Sequence, residues 1–254
     1  MEVHSHTHTA RKKWTHYFWE FLMLFLAVTL GFFVENQREH YVENLREKQF
    51  ISSMMVDVKL DTNALNGILQ RRERRVQMLD SLTLLLNRPD RDKHTSRIYY
   101  LGRHIQRLFS VSFTYNDRTI QQLKNAGNMR LIRNRAASDA IILYDARVRD
   151  MQVTEARENE YMFQCLPYLY KIFNGLVFDT MLDSTTAIHE PPPGFLLSAT
   201  LAVSLPEFNG ALHSVKSSNL ANWNRVKTLI QDGENLLNIL KREYHLSEGT
   251  PLEK

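Results

Sequence analysis

The chain contains 254 residues, of which 43% are hydrophobic and 24% are charged, with only 9 Gly and 7 Pro. This composition is typical of a folded protein that has room for long helices, and it excludes a disordered or collagen-like chain. The single cysteine, Cys165, excludes an intramolecular disulfide framework and a cysteine-based zinc cluster. A formal net charge of +4 is too mild for a dedicated nucleic-acid-binding protein, so no nucleic-acid partner is expected.

The first predicted segment, residues 1–13, is a histidine-rich and basic tail. His4, His6 and His8 alternate along it, and closely spaced imidazoles can bind Zn²⁺, Ni²⁺ or Cu²⁺. However, no second group of ligands lies nearby in the sequence. A polar tail is therefore the preferred interpretation, with these three histidines as a weak alternative metal site, and no cofactor is predicted.

Residues 14–35 are predicted to form a transmembrane helix. No charged residue occurs between Phe21 and Val34, and the helix would span roughly 31 Å, about the thickness of the hydrocarbon core of a bilayer. A cleaved signal peptide has a similar pattern, but bulky residues follow the small ones near Gly31, which disfavours cleavage. A buried core helix is the other alternative. The aromatic residues at the N-terminal end, typical of an interfacial belt, are Trp14, Tyr17 and Trp19.

The charges that flank this helix predict its orientation. Arg11, Lys12 and Lys13 precede it, whereas residues 35–44 contain three glutamates and one basic residue, Arg38. Because basic residues are enriched on the cytoplasmic side, we expect the N-terminus in the cytoplasm and the bulk of the chain in the periplasm, with the helix in a bacterial inner membrane.

Glu20 lies about one helical turn inside the apolar segment. Ionisable groups within a membrane are costly and often functional. So close to the interface, however, the side chain can reach the headgroup region or take up a proton at small cost. Both interpretations stay open: a tolerated interfacial glutamate, or a residue that pairs with another membrane helix.

Residues 36–246 are predicted to form an all-α, long-helix antiparallel bundle that continues from the transmembrane helix. No Pro or Gly separates Val34 from Tyr41, and apolar residues then recur mostly at steps of three and four as far as Leu86. Further helices are predicted over 95–109, from a cap at Thr114–Asn116 to Gly127, and from near Asn134, with a kink or a new helix at Pro167.

The stretch 175–206 is predicted to be irregular, because the run from His189 to Gly194 contains three consecutive prolines. Helices near 207–217 and 219–246 follow, and 247–254 is a C-terminal tail. No second membrane span is expected, since the apolar stretch 194–205 is too short.

The strongest charge cluster consists of Arg71, Arg72, Arg74 and Arg75. On a helix these side chains surround most of the circumference, so one side can line the bundle and pair with carboxylates. A solvated or salt-bridged helix face is the preferred interpretation, and contact with an anion, a lipid headgroup or a partner is the alternative. Glu155 and Glu158 fall on the apolar stripe of their own helix, which predicts a solvated stretch there.

No catalytic signature is found: the sequence lacks GxSxG, SxxK, a P-loop, GxGxxG and HExxH. Cys165 precedes Leu166-Pro167 on an apolar stripe, which indicates a buried structural thiol and not a nucleophile. The chain is therefore predicted not to be an enzyme, with no catalytic or metal-binding residues assigned.

Two motifs resemble those of a family of uncharacterised Gram-negative bacterial proteins. One is HYFWEFLMLFLAVTLG over 16–31, followed by Glu35-Asn-Gln-Arg-Glu39; the other joins Thr114-Tyr115 to LKNAGNMRLIRN over 123–134. Members of that family have one N-terminal span with an early Glu, and later a short helix that ends at Gly before a Leu-Ile turn. The resemblance implies a single-pass inner-membrane protein and brings no catalytic residues with it.

Two functions follow from these features. The first is a non-catalytic periplasmic bundle tethered to the membrane, acting as a scaffold, an accessory subunit or a ligand-sensing module. The alternative is a subunit of an ion-driven inner-membrane complex that uses Glu20 as its protonatable group. In both cases the expected partners are the lipid bilayer and either another membrane protein or a second copy of the chain.

Overall fold

The computed structural model describes residues 14–107, 111–125 and 127–246. The prediction of an all-α fold with a long N-terminal helix is confirmed, since extended pairing in these residues is limited to one isolated bridge between Leu182 and Ile188. Two short 3₁₀ helices cover Arg91–His94 and Asn128–Leu131. The α-helices are α1 (Trp14–Leu86), α2 (Thr95–Arg107), α3 (Arg118–Asn125), α4 (Arg135–Ile172), α5 (Gly175–Asp179) and α6 (Leu201–Tyr244).

The chain divides into two compact units, Met1–Gln49 and Phe50–Lys254, within which most residue–residue contacts fall. The described part of the first unit is the N-terminal portion of α1. Its large apolar side chains over 14–34 are exposed, and among the described helices α1 is the one that is long and apolar enough to cross a membrane. A contiguous exposed apolar surface of this extent is typical of a segment that inserts into a membrane or packs against a partner.

The second unit is built on three long helices: the C-terminal part of α1, α4 and α6. α6 runs antiparallel to α4, because Asn134 contacts Glu243 at one end and Thr200 contacts Lys171 at the other. α1 and α4 run parallel to each other, because Asp61 contacts Tyr144 and, further along both helices, Arg75 contacts Glu158. The antiparallel arrangement therefore applies to α6 against its two neighbours.

Most buried positions of the three helices follow alternating steps of three and four residues, the spacing of a coiled-coil seam. Further buried residues lie beside the seam: Asp57, Thr62, Asp145 and Ile230. The seam positions are as follows. On α1 they are Ile51, Met54, Val58, Asp61, Leu65, Ile68, Arg72, Arg75, Leu79, Leu82 and Leu86. On α4 they are Ala137, Ile141, Tyr144, Val148, Met151, Glu155, Glu158, Met162, Cys165, Leu169 and Ile172. On α6, from Leu212, they are Leu212, Val215, Asn219, Asn222, Val226, Leu229, Gly233, Leu236 and Leu240.

The core of this unit consists of two apolar clusters. One combines 51–68 of α1 with 137–151 of α4 and 226–240 of α6. The other combines 79–86 of α1 with the C-terminal part of α4 and the N-terminal part of α6. On each helix, two consecutive seam positions between the clusters are polar. We call these six residues the polar layer: Arg72, Arg75, Glu155, Glu158, Asn219 and Asn222.

Residues 111–125 pack against α1, and a carboxylate of α1 caps α3. Asp57 accepts hydrogen bonds from the backbone N–H of Thr119 (3.1 Å) and from its hydroxyl (2.5 Å). The prediction that Thr114–Asn116 caps this helix is therefore wrong. A carboxylate held in the bundle reaches the free amides of the first turn, where the helix dipole also favours negative charge. α3 ends at Asn125, before Gly127, whose φ of 63° is left-handed.

The predictions for the last two long helices need correction. α4 begins next to Asn134, as expected, and the Asn134 side chain caps it, but no new helix begins at Pro167: α4 continues to Ile172. α6 is one helix, including Pro206, where two helices near 207–217 and 219–246 were predicted. The irregular stretch is correspondingly shorter than 175–206. A proline costs a helix about 3 kcal/mol, and burial of the seam residues on both sides of each proline outweighs that cost.

Candidate functional site

The arginine cluster divides into a buried and an exposed half. Arg72 and Arg75 are 0% and 1% exposed, whereas Arg71 and Arg74 are exposed to solvent. This division follows from the helix, because 72 and 75 fall on the seam and 71 and 74 do not. Burial removes Arg72 and Arg75 from the surface that an external anion or partner could contact.

Arg72 connects α1 with both other long helices. Its Nη1 donates hydrogen bonds to Glu158 Oε2 (2.6 Å) and to Asn219 Oδ1 (3.2 Å). Its Nη2 donates to Glu155 Oε1 and to the carbonyl oxygen of Val111, both at 2.9 Å. Asn219 also donates from Nδ2 to the Arg72 carbonyl oxygen (2.9 Å). One guanidinium thus positions two helices and the segment that begins at residue 111.

Glu158 accepts hydrogen bonds from three members of the polar layer, which are Arg72, Arg75 and Asn222. Arg75 Nη1 donates to its Oε1 (2.5 Å), and Asn222 Nδ2 donates to its Oε2 (2.5 Å). By contrast, Nε and Nη2 of Arg75 are buried without a hydrogen-bond partner among the described residues. Arg75 is therefore the less satisfied of the two arginines.

The expectation that Glu155 and Glu158 are solvated is wrong, because they are 6% and 2% exposed. Burial raises the pKa of Glu155, although a hydrogen bond from the Phe113 N–H and the nearby Arg72 guanidinium oppose the shift. Burial also lowers the pKa of the Arg75 guanidinium, against the favourable charge of Glu158. Buried carboxylates persist only where cations and donors compensate for the lost hydration, and the two arginines supply both.

Sequence reasoning did not identify Asn219 and Asn222 as members of the site. The signal that would have found the layer is the seam itself. Charged or amide residues occupy two adjacent seam positions on each of three helices, which is unusual for positions that are normally apolar.

The polar layer can fix the register of the three helices, that is, their alignment along their axes. Two arginines and two glutamates give it no net formal charge, and a sliding of one helix by a heptad would place an arginine opposite apolar residues. Buried polar groups at seam positions can specify register in this way. Among the described residues no group of three or more His, Cys, Asp or Glu side chains could hold a metal ion. His4, His6 and His8 lie outside the described residues.

Cys165 is buried, as predicted. Burial raises the pKa of its thiol from an ordinary value of 9.0 to about 12, against a smaller effect of Arg75. Because the thiolate is the reactive form, this environment suits a structural thiol.

The predicted membrane anchor is exposed on all sides. Trp14, Tyr17 and Trp19 are 80%, 56% and 59% exposed. Glu20 has a local partner, since His16 Nε2 lies 3.1 Å from its Oε1 one turn earlier on the same helix. The carboxylate therefore does not need a residue from another helix to be paired.

No protein-family model, no curated protein and no solved structure matches this chain. The resemblance to the single-pass membrane family stays a prediction, and any function must be argued from the residues themselves.

Proposed function

We propose that this chain is a non-catalytic, membrane-tethered helical-bundle protein that acts as a scaffold, an accessory subunit or a ligand-sensing module. The observation that carries the proposal is the exposed apolar segment of α1, which belongs to the same helix that supplies Arg72 to the polar layer. One helix thus provides both an anchor and a register-defining residue of the bundle.

The charge asymmetry around the segment supports an orientation. With basic residues before it and glutamates after it, the N-terminus lies in the cytoplasm and the bundle in the periplasm of a Gram-negative bacterium. The polar layer supports a structural role over a catalytic one, because its charges are paired with one another inside the core.

The anchor is tested with charged substitutions. Leu24→Arg/Val28→Arg alters two exposed residues of the apolar segment, and Val153→Arg/Val203→Arg adds the same charge at exposed apolar positions of α4 and α6. Each arginine costs about 3 kcal/mol at a membrane centre, so the first variant should leave the carbonate-washed membrane fraction. The second should stay in it. Equal retention of both variants would contradict a membrane anchor.

The scaffold role is tested by mild solubilisation and purification through a C-terminal tag, followed by measurement of the mass of the intact particle. The expected result is a stoichiometric assembly with a membrane protein or a second copy. It should be lost in Leu24→Arg/Val28→Arg and kept in the control. A monomer in both detergent and lipid nanodiscs would contradict the scaffold and accessory-subunit roles.

The alternative, a subunit of an ion-driven complex, is favoured by one observation: Glu20 and His16 place two titratable groups in contact near the start of the apolar segment. This alternative expects Glu20→Gln to insert normally and to be inactive in the complex. The tether proposal expects Glu20→Gln to behave like Glu39→Gln, which changes an exposed glutamate beyond the segment.

A further inference from the structure

A groove lined by α4 and α6 contains, near its middle, a stretch whose carboxylate-free lining includes two arginines. The neighbouring stretches of the groove contain both charges: Lys171 and Glu207 towards one end, and Arg147, Asp150 and Asp232 towards the other. Between them lies a cleft of about 430 Å³ whose lining side chains include no carboxylate. The side chains that matter here are Arg157, Arg225, His213, Ser214, Ser217 and Ser218.

The guanidinium groups of Arg157 and Arg225 have N–H donors available to bind a ligand. Arg157 is exposed and has no hydrogen bond or ion pair with any residue in the described part of the chain. The nearest carboxylate to Arg225 is Asp150, whose Oδ2 lies 4.0 Å from its Nε, and both side chains are solvent-accessible. An exposed ion pair at this distance holds its partners weakly.

The floor of the cleft carries no uncompensated negative charge that would repel an anion. Asn222, which is 1% exposed, lines the cleft and donates from Nδ2 to Glu158 and to the carbonyl oxygen of Thr154. The negative charge of Glu158 is balanced by Arg72 and Arg75 on its inner side. The fixed charge that faces the cleft is therefore that of its arginines.

We propose that this cleft binds a small phosphate-bearing anion. Guanidinium groups bind phosphate oxygens through two parallel hydrogen bonds, and the serine hydroxyls supply further donors. From His213 to Arg225 the cleft follows α6 for about 18 Å at helical rise, which is long enough for more than one phosphate group. The volume falls in the range of small-molecule sites. The site needs no membrane, and so it goes beyond the proposed tether.

The test uses the full-length protein in a non-ionic detergent and titrates it with pyrophosphate by calorimetry at constant ionic strength. We expect Arg157→Gln/Arg225→Gln to weaken binding by about tenfold or more, because the variant loses both charge-assisted guanidinium contacts to the phosphate. Arg71→Gln/Arg74→Gln, which removes the same charge from exposed positions of α1, should bind within about twofold of the unmodified protein. All four arginines are exposed, so both variants should fold, and circular dichroism checks this.

An equal loss in the two variants would overturn the proposal, since it would indicate attraction by net charge alone. The absence of heat for the unmodified protein at about 1 mM pyrophosphate would also overturn it. A repeat in nanodiscs identifies the source of the phosphate. Competition from phosphatidylglycerol, absent with phosphatidylcholine alone, would assign the cleft to a lipid headgroup, and unchanged affinity would assign it to a soluble ligand. Both results support phosphate recognition.

Discussion

Arg72 and Glu158 are 86 residues apart in the sequence, and inside the bundle Nη1 of the arginine donates to Oε2 of the glutamate at 2.6 Å. Both side chains are almost fully buried. Removing such charges from water costs several kcal/mol for each ion, and the pairing repays this only with good geometry and additional hydrogen bonds. The polar layer supplies those bonds, and it ties α1, α4 and α6 at one level.

The two buried arginines should differ in their effect on stability. Arg72→Met removes four side-chain hydrogen bonds and deprives both glutamates of a cation, so we expect a loss of about 3–5 kcal/mol in the free energy of unfolding. Arg75→Met leaves Glu158 with Arg72 and removes two unpartnered donors, so we expect about 1–2 kcal/mol. Urea unfolding of the unmodified protein and the two variants measures the losses in the free energy of unfolding. A larger loss for Arg75→Met than for Arg72→Met would contradict the assigned contacts.

Gly102 is needed for a close approach between α2 and the aromatic ring of Phe173. A Cβ at this position would lie 2.6 Å from Phe173 Cζ, and that ring also packs against Tyr99 and Phe178. Gly102→Ala should therefore destabilise the protein by about 1–3 kcal/mol despite the better helix propensity of alanine. At Gly67 a Cβ meets only Arg71 Nη1 at 3.7 Å, so Gly67→Ala should stabilise by about 0.5–1 kcal/mol. Thermal unfolding compares the Tm values of the two variants, and equal Tm shifts would contradict the close packing of Phe173 against Gly102.

Cys165 should resist alkylation while the protein is folded. With its pKa raised to about 12, the thiolate fraction at pH 8 is about a thousandfold below that of a thiol at its ordinary pKa, and burial limits access further. Iodoacetamide should label Cys165 only as fast as the second unit opens. A matched reference is Val153→Cys in a Cys165→Ser background, since Val153 is 60% exposed. Similar labelling rates for the two thiols would place Cys165 outside the core.

Asp61 should make stability depend on pH. Burial raises the pKa of this carboxyl above its ordinary value of 3.8, although hydrogen bonds from Asn116 and Tyr144 oppose the shift. The folded state therefore retains the proton at pH values where the unfolded chain releases it. Its contribution to stability is present below the unfolded pKa and declines as pH rises through the folded pKa.

The substitution Asp61→Asn removes this titration and keeps an acceptor for Asn116. We expect the stability of the unmodified protein relative to this variant to fall as pH rises above the ordinary carboxyl pKa of 3.8. Asp139→Asn, at an exposed position of α4, controls for the change in net charge. A relative stability that rises with pH would contradict the assigned direction.

Much of the fold could be predicted from the sequence because it depends on neighbours along the chain. The apolar run before Glu35 and the recurrence of apolar residues as far as Leu86 indicate one long helix, and Asn134 marks the start of another. A kink or a new helix at Pro167, and two separate helices near 207–217 and 219–246, were predicted from local propensity. α4 and α6 are each one helix, because packing along the seam outweighs the cost of a proline.

The sequence by itself determined the helical class, the apolar segment and the absence of recognisable catalytic motifs, since these depend on composition and on spacing within a few turns. Only the tertiary structure decided that Glu155 and Glu158 are buried and that the arginine cluster divides at the seam. The physical reason is that a charged side chain is stable in a core only with a partner, and here each partner lies on another helix. The polar seam positions can be seen on each helix separately, but which of them pair with one another is decided only when the three helices pack.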